Sequence, residues 1–191
     1  MVVRLFALVV LFFAAIYQLN QFMYSDKYKN INEDAKLSAK LQNGDIIFRK
    51  KDDDVIDKSF SIDNLGYSQV GIVVTSGENA VVFYLKSDEK QSFLKAQKVE
   101  DFVKSSDKIA VYKYFTDIDK NVLLAILEFY KNNHDKLYNT EFINEVFFKL
   151  HGENLYTDLQ NINNKKIITV DSIIKNSKLK KRYEIDFKEK I

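Results

Sequence analysis

Apolar and polar residues alternate through the first half of the chain after its opening segment. Short runs rich in β-branched and aromatic residues occupy 45–49, 69–75, 80–85 and 108–115, and such runs are typical of strands. The second and third runs flank the tetrapeptide Ser-Gly-Glu-Asn, which predicts a β-hairpin. Gly71 interrupts the first strand of this hairpin, which indicates the close approach of another chain segment.

The period changes after residue 116, where apolar residues begin to recur every three or four positions. This spacing predicts two amphipathic helices. The first is expected to be capped by Asp117 or Asp119, and the second by Asn139 or Thr140, because these side chains accept hydrogen bonds from free backbone N–H groups. Gly152 is a natural end for the second helix.

Two further strands are predicted near the C-terminus, at 167–170 and 183–187. Strands that cluster before and after a helical region favour an α+β fold rather than alternating β-α units. We therefore predict an antiparallel sheet of about five strands with packed helices, formed by residues 41–191.

The N-terminus has a different pattern. Residues 5–17 are uninterruptedly apolar and follow Arg4, which is the arrangement of a signal peptide or a short membrane anchor. We predict that residues 1–25 form this hydrophobic helix and that 26–40 form a linker or surface helix. The single charge before the run favours a chain that is exported, periplasmic or membrane-anchored facing outward.

Charge and composition exclude several classes of function. The 29 basic and 27 acidic residues nearly balance, at a formal charge of +2, which gives no reason to expect nucleic acid as a partner. The basic run of Lys178, Lys180, Lys181 and Arg182 is interpreted as a solvated helix end. The chain has no cysteine and two histidines, so no metal site and no cofactor are expected.

Four segments, in order, resemble one family. They are "LQNGDIIFR" at 41–49, "YSQVGIVV" at 67–74, "LYNTEFINEVF" at 137–147 and "IITVDSIIKNSKLKKRYE" at 167–184. Together they resemble the permuted papain-like cysteine hydrolases, the YiiX-like branch related to NlpC-type peptidases of the bacterial cell envelope. The resemblance implies a hydrolase fold in which a cysteine at a helix start is activated by a histidine on a strand.

The residues that carry this chemistry in the family are replaced here. The resemblance places Gln69 at the histidine position and Asn139 at the cysteine position, and the orienting group falls at Phe83 or Tyr84. Neither amide can replace the group it stands for, so no catalytic residue is expected. If the family assignment is right, the side chains of Gln69 and Asn139 are expected to lie within a few ångströms of each other.

The resemblance therefore favours a catalytically inactive homologue in the cell envelope. Such a domain would bind a peptide, glycan or lipid-type ligand, or a protein partner, through the former active-site cleft. The structural alternative is that this cleft has filled in. The candidate binding residues are Ser68, Gln69, Phe83, Tyr84, Asn139, Thr140 and Glu141.

Two other hypotheses remain open. An active amidase or esterase would need a substituted nucleophile, either Thr140 or Ser68, with His134 as its base. A cytosolic structural protein that merely shares the fold would need to bury the apolar run at 5–17.

Overall fold

The computed structural model describes six stretches of the chain. They are 37–50, 65–87, 92–104, 106–133, 137–162 and 164–187. The part from Ser38 onward belongs to one compact unit. The predicted N-terminal helix at 1–25 lies outside the described residues.

A six-stranded antiparallel sheet forms the centre of the molecule, with a separate two-stranded hairpin beside it. The large sheet has the order β4-β3-β2-β1-β5-β8. The strands are β1 Ile46–Lys50, β2 Gln69–Ser76, β3 Asn79–Ser87, β4 Ser92–Lys98, β5 Lys108–Tyr114, β6 Gln160–Ile162, β7 Lys165–Ile167 and β8 Leu179–Asp186. The helices are α1 Val99–Val103, α2 Lys120–Asn132, α3 Asn139–His151 and α4 Val170–Ile174.

The α+β class is confirmed, and the sheet has one more strand than the predicted five. The additional strand is the edge strand β4, Ser92–Lys98. The strand predicted at 167–170 is wrong after its first residue, because β7 is Lys165–Ile167 and pairing ends there. Thr169 then caps α4, its hydroxyl accepting a hydrogen bond from the N–H of Ser172 at 3.2 Å.

The interpretation of Lys178, Lys180, Lys181 and Arg182 as a helix end is also wrong. Three of these residues lie on β8, and Lys178 comes directly before it. The strand is an edge of the sheet and pairs with β5 alone among the described strands. Lysine and arginine are common on such edges because their charge opposes pairing with another chain.

The two faces of the sheet pack against different parts of the chain. Val70 and Ile72 point toward α2 and α3 and join the main core with residues such as Phe142 and Val146. Burial of each of these side chains contributes on the order of 2 kcal/mol. The alternate positions of β2 lie on the other face, where a Cβ added to Gly71 would come within 2.3 Å of a Val82 methyl group. The predicted close approach at Gly71 is thus confirmed.

Local signals at the helix ends behave as predicted in two places. Asp119, one of the two candidates, caps α2, its carboxylate accepting from Asn121 N at 2.8 Å and from Val122 N at 3.0 Å. Gly152 ends α3 in the left-handed conformation with φ of 72°, which glycine adopts without steric cost.

An ion cluster joins the last two strands of the sheet. Lys108 Nζ lies 2.5 Å from Glu184 Oε1, and Lys181 contacts the other carboxylate oxygen. Hydrogen bonds from Lys108 and Lys181 hold the pKa of the Glu184 carboxyl below its usual value. The cluster therefore stabilises the folded state only while Glu184 is ionised.

We predict that Glu184→Gln lowers the free energy of unfolding at pH 7 and has no such effect in acid. The folded-state pKa lies below the unfolded value of about 4.3. The stabilisation is therefore present above that value and lost as the pH falls through the folded-state pKa. Urea unfolding at several pH values measures the gap between wild type and variant. Glu78→Gln, in the exposed hairpin turn, is the matched control. A gap that stays constant down to pH 3 would contradict the assignment.

Candidate functional site

The side chain of Asn139 is inserted between two strands of the sheet. Its Nδ2 donates to the carbonyl of Val70 at 2.7 Å, and its Oδ1 accepts from the N–H of Leu85 at 2.9 Å. The β2–β3 pairing runs from Ser76 opposite Asn79 to Ile72 opposite Phe83, and the same register would next bring Val70 opposite Leu85. The amide therefore makes the hydrogen bonds that neighbouring strands would otherwise make with each other.

This use of Asn139 changes the expected start of α3. The helix begins at Asn139, and the capping residue is Tyr138, not Asn139 or Thr140. The carboxylate of Glu141 accepts from the N–H of Tyr138 at 2.9 Å. It also lies in the first helical turn, where the helix dipole favours a negative charge. Thr140 is only 4% exposed, and within the described stretches its hydroxyl has no hydrogen-bond partner.

The structure does not bring the side chains of Gln69 and Asn139 together as expected. Asn139 bonds to the backbone of Val70, the residue directly after Gln69. Gln69, however, pairs with Arg49 and alternates with Val70, so its side chain leaves β2 on the face opposite α3. It is 5% exposed, and its Oε1 has no hydrogen-bond partner among the described residues. This arrangement does not support transfer of the histidine role to Gln69.

The remaining predicted residues are also packed. Ser68 is buried, and its hydroxyl donates to the carbonyl of Arg49 at 3.4 Å. Tyr84 is buried with its ring 5.1 Å from that of Phe102, and its hydroxyl donates to Gln97 at 2.8 Å. Phe83 is partly buried against the main core. Like Asn139, these residues build the fold rather than a cleft.

A cavity of about 550 Å³ lies at the start of α3. Of the predicted binding residues, only Glu141 lines it. Sequence reasoning missed the others, which are Ser92, Leu137, Tyr138, Lys165, Lys166 and Ile167. Two of these residues, Lys165 and Lys166, form a Lys-Lys pair directly after Asn164 in the sequence. Asn164 has a φ of 63°, which marks a hairpin turn. We call this cavity the α3 groove.

Histidines do not contribute to this site within the described chain. His151 lies at the far end of α3, where its ring stacks 4.3 Å from that of Tyr114. Burial lowers the pKa of His151 below its ordinary value. His134 lies outside the described residues. In the described stretches, no group of three His, Cys, Asp or Glu is placed to hold a metal ion.

The described helices are each too short or too polar to cross a membrane. The apolar run at 5–17, on which the predicted anchor rests, is not among the described residues.

Comparison with known proteins identifies the fold. No model of a protein family matches the chain, and no curated protein matches it. Among solved structures, the crystal structure of the metalloprotein yiiX from Escherichia coli O157:H7 is similar, with a TM-score of 0.61 at 14% identity. The similarity covers 75% of this chain and 97% of that one. The chain therefore has a YiiX-like fold.

We predict that Asn139→Ala lowers the free energy of unfolding by about 2–4 kcal/mol, because it leaves two buried backbone groups without partners. Asn139→Asp keeps the acceptor for Leu85 but sets an anionic oxygen against the carbonyl of Val70. Its stability should recover as the pH falls, since a protonated carboxyl can donate to that carbonyl.

Urea unfolding at neutral and acidic pH measures both variants. Asn121→Ala, an exposed asparagine at the start of α2, is the control and should change stability by less than about 0.5 kcal/mol. An Asn139→Ala variant as stable as this control would show that the inserted amide does not stabilise the fold.

Proposed function

We propose that this protein is a catalytically inactive binding domain with a YiiX-like fold that acts in the cell envelope. Its relation to the permuted papain-like hydrolases rests on Asn139 and not on Gln69, because the two side chains do not meet as that relation requires. The main support is the bonding of Asn139, which stands where the resemblance places the nucleophile. Both polar atoms of its side chain are engaged by backbone groups of β2 and β3. An amide held in this way can neither attack a substrate nor reorient to bind one.

The proposed binding site is therefore the α3 groove rather than the positions inherited from the family. Lys165 and Lys166 are exposed at its wall, and it adjoins the N-terminus of α3. Both features favour an anionic group. Tyr138 adds an exposed ring beside them. Envelope peptides, acidic glycans and anionic lipids carry carboxylate or phosphate groups that such a groove can hold.

The location in the envelope rests on the sequence of residues 1–25. The apolar run after Arg4 would direct export and tether the chain to the membrane. The folded domain would then lie outside the cytoplasm. A protein partner in the envelope is the other occupant that this location allows.

We predict that a panel of muropeptides, acidic envelope glycans and dispersed anionic lipids contains at least one ligand of the chain. Lys165→Ala/Lys166→Ala should weaken its binding by at least about tenfold, because two charged hydrogen-bond donors are lost. Isothermal titration measures the affinity. Lys95→Ala/Lys98→Ala removes the same charge from β4 and should bind as wild type does. No binding across the panel, or equal loss in both variants, would contradict the α3 groove as the site.

The alternative is an active amidase or esterase that uses Thr140 or Ser68. Both hydroxyls are buried. The described imidazole, His151, lies roughly three helical turns from Thr140 along α3, about 16 Å away. A general base must lie within hydrogen-bond reach of its nucleophile, so the described residues do not favour this reading.

We accordingly predict no turnover of generic ester and amide substrates. Thr140→Ala and Ser68→Ala should match wild type at the background rate in a chromogenic assay. Turnover by wild type that either substitution abolishes would establish the enzymatic alternative.

A further inference from the structure

A second groove, distinct from the α3 groove, lies where β5 ends and β8 begins. It has a volume of about 810 Å³. Its walls carry five cationic side chains and an exposed aromatic ring, namely Lys113, Lys178, Lys180, Lys181, Arg182 and Phe115. We call it the basic groove. Among the described residues, no carboxylate lines it.

A β-bulge interrupts β8 beside this groove. Val111 pairs with Tyr183, but the next residue of β5 pairs with Lys181, so Arg182 is an extra residue in β8. Lys180 and Lys181 pair in regular register with Lys113 and Tyr112, so their side chains leave opposite faces of the strand. Both line the groove because it lies along the open side of this edge strand. The bulge changes the direction of Arg182, and such bulges are frequent at sheet edges and beside binding sites.

Arg182 is fixed by partners outside the groove. Its guanidinium donates to the buried carboxylate of Asp45 at 2.7 Å and to the carbonyl of Lys40 at 3.1 Å. This contact holds the bulge in place and neutralises Asp45. Arg182 is thus a positioning residue, and the lysines remain to meet a ligand.

The lysines are available to an incoming anion. Lys180 makes no ion pair with any described residue. Lys178 pairs with Glu153 and Lys181 with Glu184, but the side chains of these pairs are a third to a half exposed. Each exposed pair contributes no more than about 1 kcal/mol, so a phosphate group can displace the carboxylates, and Glu184 would keep its contact with Lys108. Lysine ammonium groups are common ligands of phosphate.

Phe115 supplies an apolar surface beside these charges. Its side chain is 65% exposed, and Lys178 Nζ lies 5.9 Å from its ring centroid. The hydroxyl of Tyr114, the residue before Phe115, donates a hydrogen bond to the carboxylate of Glu153. A large exposed ring next to three lysines matches a ligand that joins an anionic head to an apolar or planar body.

We propose that the basic groove binds an anionic ligand carrying phosphate groups, with Lys178, Lys180 and Lys181 on the phosphates and Phe115 against the apolar part. This site does not depend on the α3 groove or on the proposed inactivity. The phosphate can belong to a soluble molecule or to a lipid headgroup, and the experiment separates these two sources.

The test uses the 191-residue chain in neutral detergent at low salt. One arm titrates it with inorganic pyrophosphate, and the other with short-chain phosphatidylglycerol in the same detergent. Binding in both arms indicates the phosphate alone as the determinant, and binding only in the lipid arm indicates a headgroup. Lys178→Ala/Lys180→Ala/Lys181→Ala should weaken the observed binding about 100-fold, at roughly fivefold for each lysine.

Two matched variants separate the site from net charge and from folding. Lys86→Ala/Lys120→Ala/Lys131→Ala removes the same charge from other surfaces and should bind within about twofold of wild type. Lys178→Arg/Lys180→Arg/Lys181→Arg keeps the charge and should retain binding. Phe115→Ala should weaken the lipid arm more than the pyrophosphate arm. The proposal is overturned if neither probe binds wild type, or if both alanine triples lose affinity equally.

Discussion

The two hydrogen bonds of the Asn139 side-chain amide fix the position of α3 on the sheet. They join the first residue of α3 to the backbone of β2 and β3, at the point where the direct pairing of those strands has ended. Hydrophobic burial alone allows α3 to slide along the apolar face, because it has little directional preference. Hydrogen bonds to backbone atoms are directional, so they set the position from which Phe142 and Val146 enter the core.

Features determined by neighbouring residues were predictable from the sequence. The hairpin of β2 and β3, the Asp119 cap and the stop at Gly152 each depend on a few consecutive residues. The strand β4 and the basic part of β8 were missed because both lie at edges of the sheet. An edge strand need not alternate apolar and polar residues, since much of its surface is solvated. In the sequence, a run of lysines on such a strand then looks the same as a run on an exposed helix.

The candidate site was harder to predict because its contacts are remote in sequence. The backbone partners of Asn139 lie 69 and 54 positions away, and no local pattern marks a carbonyl or an N–H as free. Side chains alternate between the two faces of a strand. A one-residue error in the alignment of "YSQVGIVV" with the family therefore moves the predicted histidine position to the opposite face of the sheet. Lys165 and Lys166 border the α3 groove only because a short hairpin brings them to the start of a helix far from them in sequence.

The inserted amide also limits which residues can later occupy position 139. A primary amide presents one donor and one acceptor in the geometry of a peptide group, and no other small side chain does so without charge. A thiol offers only weak hydrogen bonds, so Asn139→Cys would leave the strands poorly joined before any chemistry was gained. A chain that uses this side chain in its framework would need compensating changes elsewhere to accept another residue there. Position 139 is therefore difficult to change on its own, because any replacement must also restore the link between β2 and β3.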